Sequence, residues 1–133
     1  MLKQEFHVAC PRLKLFVIGW LAVIEFKRFK RTVEFNAWLL ALDESIALVL
    51  VALLDKYKED GVLPNTAGML KGCDGLGEIR FKFGSGYRVY FCRYGDVVLL
   101  LINGGDKDSQ VHDIKVAQAI KNREIEKVRL QRG

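Results

Sequence analysis

The chain has little of what builds a metal centre or a disulfide framework. Its 133 residues include three cysteines, Cys10, Cys73 and Cys92, and two histidines, His7 and His112. Three cysteines with no CxxC spacing form neither an even disulfide set nor a zinc pair, and they point to a reducing compartment. The two imidazoles lie far apart in sequence, so no metal site and no cofactor is expected. With two prolines and no long Gly/Ser/Pro tract, nothing marks a linker, and the length suits one domain with a real core. A membrane-spanning run is also missing. The apolar stretch at 15–24 follows Lys3, Arg12 and Lys14 and superficially resembles a secretory signal, yet it is well short of the ~20 residues needed to cross a bilayer. No small-residue cleavage site follows it, and cleavage there would cut into the first expected strand. The chain therefore reads as cytoplasmic, with no membrane partner.

What the chain does have is a moderate excess of positive charge, 21 Lys and Arg against 16 Asp and Glu, for a formal net charge of +5. That fits a polyanion-binding surface, although many basic proteins simply have soluble surfaces. The pattern within residues 75–110 says more. Strand side chains alternate sides, so Ile79, Phe81 and Phe83 point one way while Glu78, Arg80 and Lys82 point the other. Gly84-Ser85-Gly86 reads as a short hairpin loop; it lacks the lysine and following helix of a P-loop. Pairing Phe83 with Tyr87 sets Phe81 against Val89, Arg80 against Tyr90 and Lys82 against Arg88. Like charges opposite each other repel, which points to an anionic ligand on that face.

Around this meander, residues 23–27 read as a first strand. Thr32 is a candidate N-cap for a helix whose Phe35, Trp38, Leu39 and Leu42 share a face. Asp43 begins a second helix to about residue 58, with a stripe of Ile46, Val49, Leu50, Leu53, Leu54 and Tyr57, stopped by Gly61. Residues 62–74 form a loop carrying Lys71. After a turn at 94–96, residues 97–102 suit a central strand covered on both faces; Asn103-Gly104-Gly105 ends it, and a last helix spans about 111–128. The expected class is α+β: an antiparallel sheet of about four strands, an N-terminal helical hairpin on one face and a C-terminal helix. Residues 1–22 are expected to be an N-terminal extension, or an over-called start, before a domain at 23–133.

Four segments together resemble the RelE/ParE superfamily of toxins from type II toxin–antitoxin modules, in particular its HigB-like "addiction module killer protein" branch. They are Phe35-x-x-Trp38-Leu39, Gly75-Leu76-Gly77-Glu78-Ile79-Arg80, Gly86-Tyr87-Arg88-Val89-Tyr90-Phe91, and Leu100-Leu101-Ile102-Asn103-Gly104-Gly105-Asp106-Lys107 with Ser109-Gln110 and Asp113-Ile114. The resemblance covers about residues 23–120, in the right order and spacing. It implies a RelE-like fold and, for many members, a ribosome-dependent mRNA endonuclease that needs no metal. Others on the same fold poison DNA gyrase without nuclease chemistry, and a non-catalytic or decayed binding module is a third possibility.

The resemblance also implies site residues. Arg80 and Arg88 match cations that hold the scissile phosphate, and a guanidinium can grip two of its oxygens. Lys107 matches a basic residue suited to proton transfer, and His112 a position near the phosphate. Glu78 departs from the basic residue of the best-known nuclease and could act as a base or pair with Arg80. Lys71, Lys82 and Tyr90 are candidate RNA contacts, Tyr90 by stacking on a base. Each has a plainer reading: charged surface for Lys71, Lys82, Lys107 and His112, a paired sheet face for the arginines, cross-strand packing for Tyr90. The partners implied are mRNA on the ribosome and a small helix-turn-helix antitoxin, through which alone the toxin would meet operator DNA.

Overall fold

The computed structural model describes residues 3–7, 14–18, 21–95 and 98–132. Among them, β1 (Lys3–His7), β2 (Lys14–Ile18) and β3 (Leu21–Ile24) form an antiparallel three-stranded sheet. A second sheet has the order β4-β8-β7-β6-β5, from β4 (Arg28–Arg31), β5 (Ala67–Met69), β6 (Leu76–Arg80), β7 (Arg88–Arg93) and β8 (Val98–Gly105). The expected strand at 23–27 is displaced. Residues 21–24 belong to the small sheet, and the main sheet gains Arg28–Arg31, which runs parallel to β8. Only Phe29 of that strand turns inward, while Arg28, Lys30 and Arg31 stay exposed, which guards a sheet edge against further pairing. The small sheet meets the domain where Leu63 N donates to Ile24 O (3.1 Å) and Phe26 N to Gly61 O (2.9 Å). Cys10, Asp96 and Val97 lie outside the described residues.

The two helices of the hairpin form where capping places them. In α1 (Val33–Ala41) the Thr32 hydroxyl accepts from Phe35 N at 2.9 Å and donates to Ile102 O, tying the helix start to the central strand. Thr32→Val keeps the volume and removes both bonds. Its expected cost is about 1–2 kcal/mol, read as a lower denaturation midpoint at unchanged m-value. In α2 (Glu44–Asp60), Gly61 closes the C-terminus in the left-handed region, at φ 73°, where a side chain is strained. Phe35, Leu39, Leu50 and Leu54 are buried against Ile79, Phe81, Val89, Phe91, Leu99 and Leu101 of the sheet. Val49, expected in the stripe, is 45 % exposed, and Val51 packs in its place.

The third helix, α3 (Gln110–Arg132), covers the opposite face, where Ala117 and Ile120 pack on Leu76, Tyr90, Cys92, Leu100 and Ile102. Every residue of β8 is buried, the consequence of helices on both sides. The strand also runs on through Asn103-Gly104-Gly105, which the sequence suggested would end it. Between Tyr90 and Phe91 the ladder slips: Tyr90 pairs with Asn103 and Phe91 with Leu101, so Ile102 is an extra residue. Such a bulge turns two successive side chains to one face. Ile102 and Asn103 both face α3, and Asn103 Nδ2 donates to Asp113 O at 3.2 Å.

Candidate functional site

The hairpin between β6 and β7 sets the register of the site. Phe81 N donates to Tyr87 O (2.9 Å), Gly86 N donates to Phe83 O (3.1 Å), and Gly84 and Gly86 take positive φ. The loop is therefore longer than the three residues the sequence suggests, and pairing shifts by two. Arg80 faces Arg88, Ile79 faces Val89 and Glu78 faces Tyr90. The like-charge pair is Arg80 against Arg88 instead of Lys82 against Arg88. Because the slip is two residues, the faces survive intact.

Glu78 is what lets two guanidiniums sit side by side. Its side chain is 5 % exposed, with Arg80 Nε 3.0 Å from one oxygen and Arg88 Nε 3.6 Å from the other. Gln110 Nε2, at the start of α3, donates to that second oxygen at 3.2 Å. The Arg88 distance is that of an ion pair too long for a good hydrogen bond, and its Nε has no other partner. Arg88 Nη1 donates to Gly86 O at 3.3 Å, which turns the fork toward the loop. Arg80 is 62 % exposed and Arg88 13 %, so one arginine reaches into solvent while the other is held by the fold.

The patch is short of hydrogen-bond partners. Beside Arg88 Nε, the Tyr90 hydroxyl and Asn103 Oδ1 are buried without one, and Tyr90 and Asn103 are directly opposed on β7 and β8. Buried polar atoms are rarely left so. Burial, reinforced by the Glu78 and Asp113 carboxylates, raises the Tyr90 pKa and keeps its hydroxyl protonated. Tyr90 itself is fully buried, which corrects its proposed role as a stacking platform: no ring face is open to a base. Cys92 is also buried, and burial pushes its thiol up to about 12, leaving it unreactive at neutral pH.

The segment joining β8 to α3 is fixed by Asp106, whose Oδ1 accepts from the backbone N of Asp108 (2.9 Å) and Ser109 (3.1 Å). This compact turn leaves Lys107 exposed. A Cβ placed on Gly86 would lie 3.6 Å from Lys107 Cβ and 4.0 Å from Arg88 Nη1, so the base of the Lys107 side chain and the Arg88 fork both pass the loop glycine. Lys82 is exposed and lines a groove with Glu78 and Arg80. His112 is exposed in the first turn of α3, and no contact ties it to the arginines. Lys71 lies beyond the far end of β6, about 13 Å of strand from Arg80; the fold does not bring it to the cluster. Sequence reasoning assigned no role to Gln110, Asn103 or Asp113. The only signal was that all three lie within the resembling segments, Asn103 in the run from Leu100 to Lys107 and the others in Ser109-Gln110 and Asp113-Ile114.

Two guanidiniums, one exposed and one held by the fold, share the single Glu78 carboxylate, so the pair keeps one net positive charge. Glu78→Gln preserves the shape and leaves the pair one charge more positive. It should bind a polyanion about fivefold more tightly, worth roughly 1 kcal/mol, and elute from a heparin column at higher salt. Unchanged elution would mean that the arginines do not engage the polyanion.

The family model described as "Phage derived protein Gp49-like (DUF891)" matches residues 37–129, a span that contains every residue of the cluster. An uncharacterized protein of Haemophilus influenzae is 33% identical over 93 residues, covering 70% of this chain and 91% of its own. Among solved structures, a double arginine-to-alanine mutant of the E. coli toxin RelE in the free state aligns with a TM-score of 0.54. That alignment covers 73% of this chain and 96% of RelE at 16% sequence identity, a likeness of fold. No helix among the described residues is long and apolar enough to cross a membrane.

Proposed function

The chain is a member of the Gp49-like family with a fold like that of RelE, and from that premise we propose that it is a type II toxin of the RelE/ParE superfamily that cleaves mRNA on translating ribosomes without a metal ion. The observation that carries this reading is the direct opposition of Arg80 and Arg88 over the buried Glu78 carboxylate. In such a cleavage the ribose 2′-oxygen loses its proton and attacks the neighbouring phosphorus. The bond to the 5′-oxygen breaks, and that oxygen takes up a proton, leaving a cyclic phosphate and a free 5′-hydroxyl. Charge grows on the non-bridging oxygens in the transition state, where fixed donors count most. Arg80 and Arg88 hold those oxygens. Lys107, whose Cβ lies by the same loop glycine as the Arg88 fork, exchanges a proton with a bridging oxygen in this reading. His112 is a second candidate for proton exchange, and Glu78 is a brace for the arginines more than a base, since both of its oxygens are engaged.

The toxin unit is residues 23–133, with 1–22 as an extension. Its inhibitor, as in the HigB-like branch, is a small helix-turn-helix antitoxin that covers the cationic patch and carries the operator binding of the complex. Tight induction of the wild-type chain with transcript ends mapped is the test. New ends within coding regions, together with rapid loss of translation, are expected. A DNA-damage response with intact mRNA would replace this reading by a gyrase-directed toxin, and unaffected growth by a non-catalytic module.

A further inference from the structure

A groove of about 340 Å³ leads from Arg80 and Lys82 to the free edge of β5, past Asn65, Thr66, Gly68 and Leu70. Its floor is Gly68, which pairs with Glu78 and therefore shares the face of the arginine cluster. Thr66 O accepts from Arg80 N (3.2 Å) and Leu70 N donates to Leu76 O (2.8 Å), so residues 66, 68 and 70 bond to β6 in turn. By the same alternation, Thr66 and Leu70 flank the empty position on that face.

Nothing in the fold itself requires glycine there. A Cβ at Gly68 would meet no atom within 4 Å, and its φ is not in the left-handed region. Gly77 and Gly104 differ, because a Cβ at either would come within 2.4 Å of an aromatic ring. A strand glycine often marks a bulge, a bend, or a close approach by a ligand or another backbone, and the groove over Gly68 leaves room for a ligand. We propose that this groove is the subsite for the nucleotide next to the scissile phosphate of a single-stranded RNA, and that Gly68 determines which base fits.

The chemistry of the lining matches a nucleotide. The exposed Arg80 guanidinium offers a plane on which a base can stack. The Lys82 ammonium can meet the next backbone phosphate, and Asn65 and Thr66 supply donors and acceptors for a base edge. The volume lies at the lower end of small-ligand sites. An extended peptide would dock differently, in the plane of the sheet along the outward N–H and C=O groups of β5, beside Gly68 instead of over it.

The proposal rests on the ribonuclease reading, and its test separates the two. Wild type, Gly68→Ala, Gly68→Val and Arg88→Ala are induced in parallel, transcript ends are mapped, and co-purification of the antitoxin and melting temperature are measured for each. Gly68→Val puts three carbons into the groove and is expected to cut wild-type sites at least about tenfold less often, since one methylene in a fitted pocket already has that effect. It should also shift the nucleotide preference at one position beside the cut, with Gly68→Ala intermediate. Should Gly68→Val fail to accumulate, Gly68→Ala decides by the same shift in preference. Identical cut sites and frequencies in wild type and the folded variant would overturn the subsite and leave the ribonuclease standing. Unaltered cutting with loss of antitoxin would make the groove a protein-docking surface and overturn it too. No new ends from wild type would remove the ribonuclease reading and the subsite with it.

Discussion

Arg88→Ala is expected to lower mRNA cutting about 10²- to 10³-fold, the usual effect of removing one preorganised donor from a developing oxyanion. Growth arrest on induction should disappear with it. The variant should still fold. Glu78 keeps Arg80 at 3.0 Å and Gln110 at 3.2 Å, so its carboxylate is not stranded, and the deleted side chain is 13 % exposed at the rim of the sheet. Arg88→Lys should restore little, because an ammonium cannot present two parallel N–H donors to a phosphate. Arg80→Ala should be milder than Arg88→Ala, since a side chain 62 % exposed is less preorganised. Mapped transcript ends and growth curves read all three. An Arg88→Ala protein that still cuts RNA and arrests growth as wild type does would refute the site.

The parts of this site that sequence could reveal were the ones set by period. Alternation placed Glu78 and Arg80 on one face of β6, and Ile79 and Phe81 on the other, and the structure keeps that division. The pairing partner was not legible. A loop with Gly84 and Gly86 fits several hairpin lengths, and a slip of two residues leaves each hydrophobe on its proper side, so no burial penalty distinguishes the registers. Arg28–Arg31 escaped detection for a related reason. An edge strand with one inward residue, Phe29, shows no alternation, and its parallel partner β8 lies some 70 residues downstream. The burial of Tyr90 depends on α3 crossing that face, a tertiary fact with no local signature. Gln110 illustrates the same limit: its hydrogen bond to Glu78 spans 32 residues.

Asn103-Gly104-Gly105 reads as a strand end because glycine usually interrupts strands, yet here the glycines are what allow β8 to continue between two helices. A Cβ on Gly104 would lie 2.4–2.5 Å from three atoms of the Trp38 ring, and one on Gly105 would lie 1.8 Å from Asp113 Oδ2. The two positions face opposite sides of the sheet, so the pair admits α1 on one side and the start of α3 on the other. Gly104→Val should therefore cost about 3 kcal/mol, since a rigid indole held beside Phe35 must move and overpacking typically costs 1–3 kcal/mol with more where backbone shifts. For a domain of this length that is a fall in melting temperature of roughly 10 °C. The same substitution at Gly68, where a Cβ meets nothing, should change stability by no more than about 0.5 kcal/mol. Thermal unfolding of the two variants side by side measures the contrast. Equal melting temperatures would mean that Trp38 yields freely, and that α1 does not need the bare backbone of Gly104 to reach the sheet.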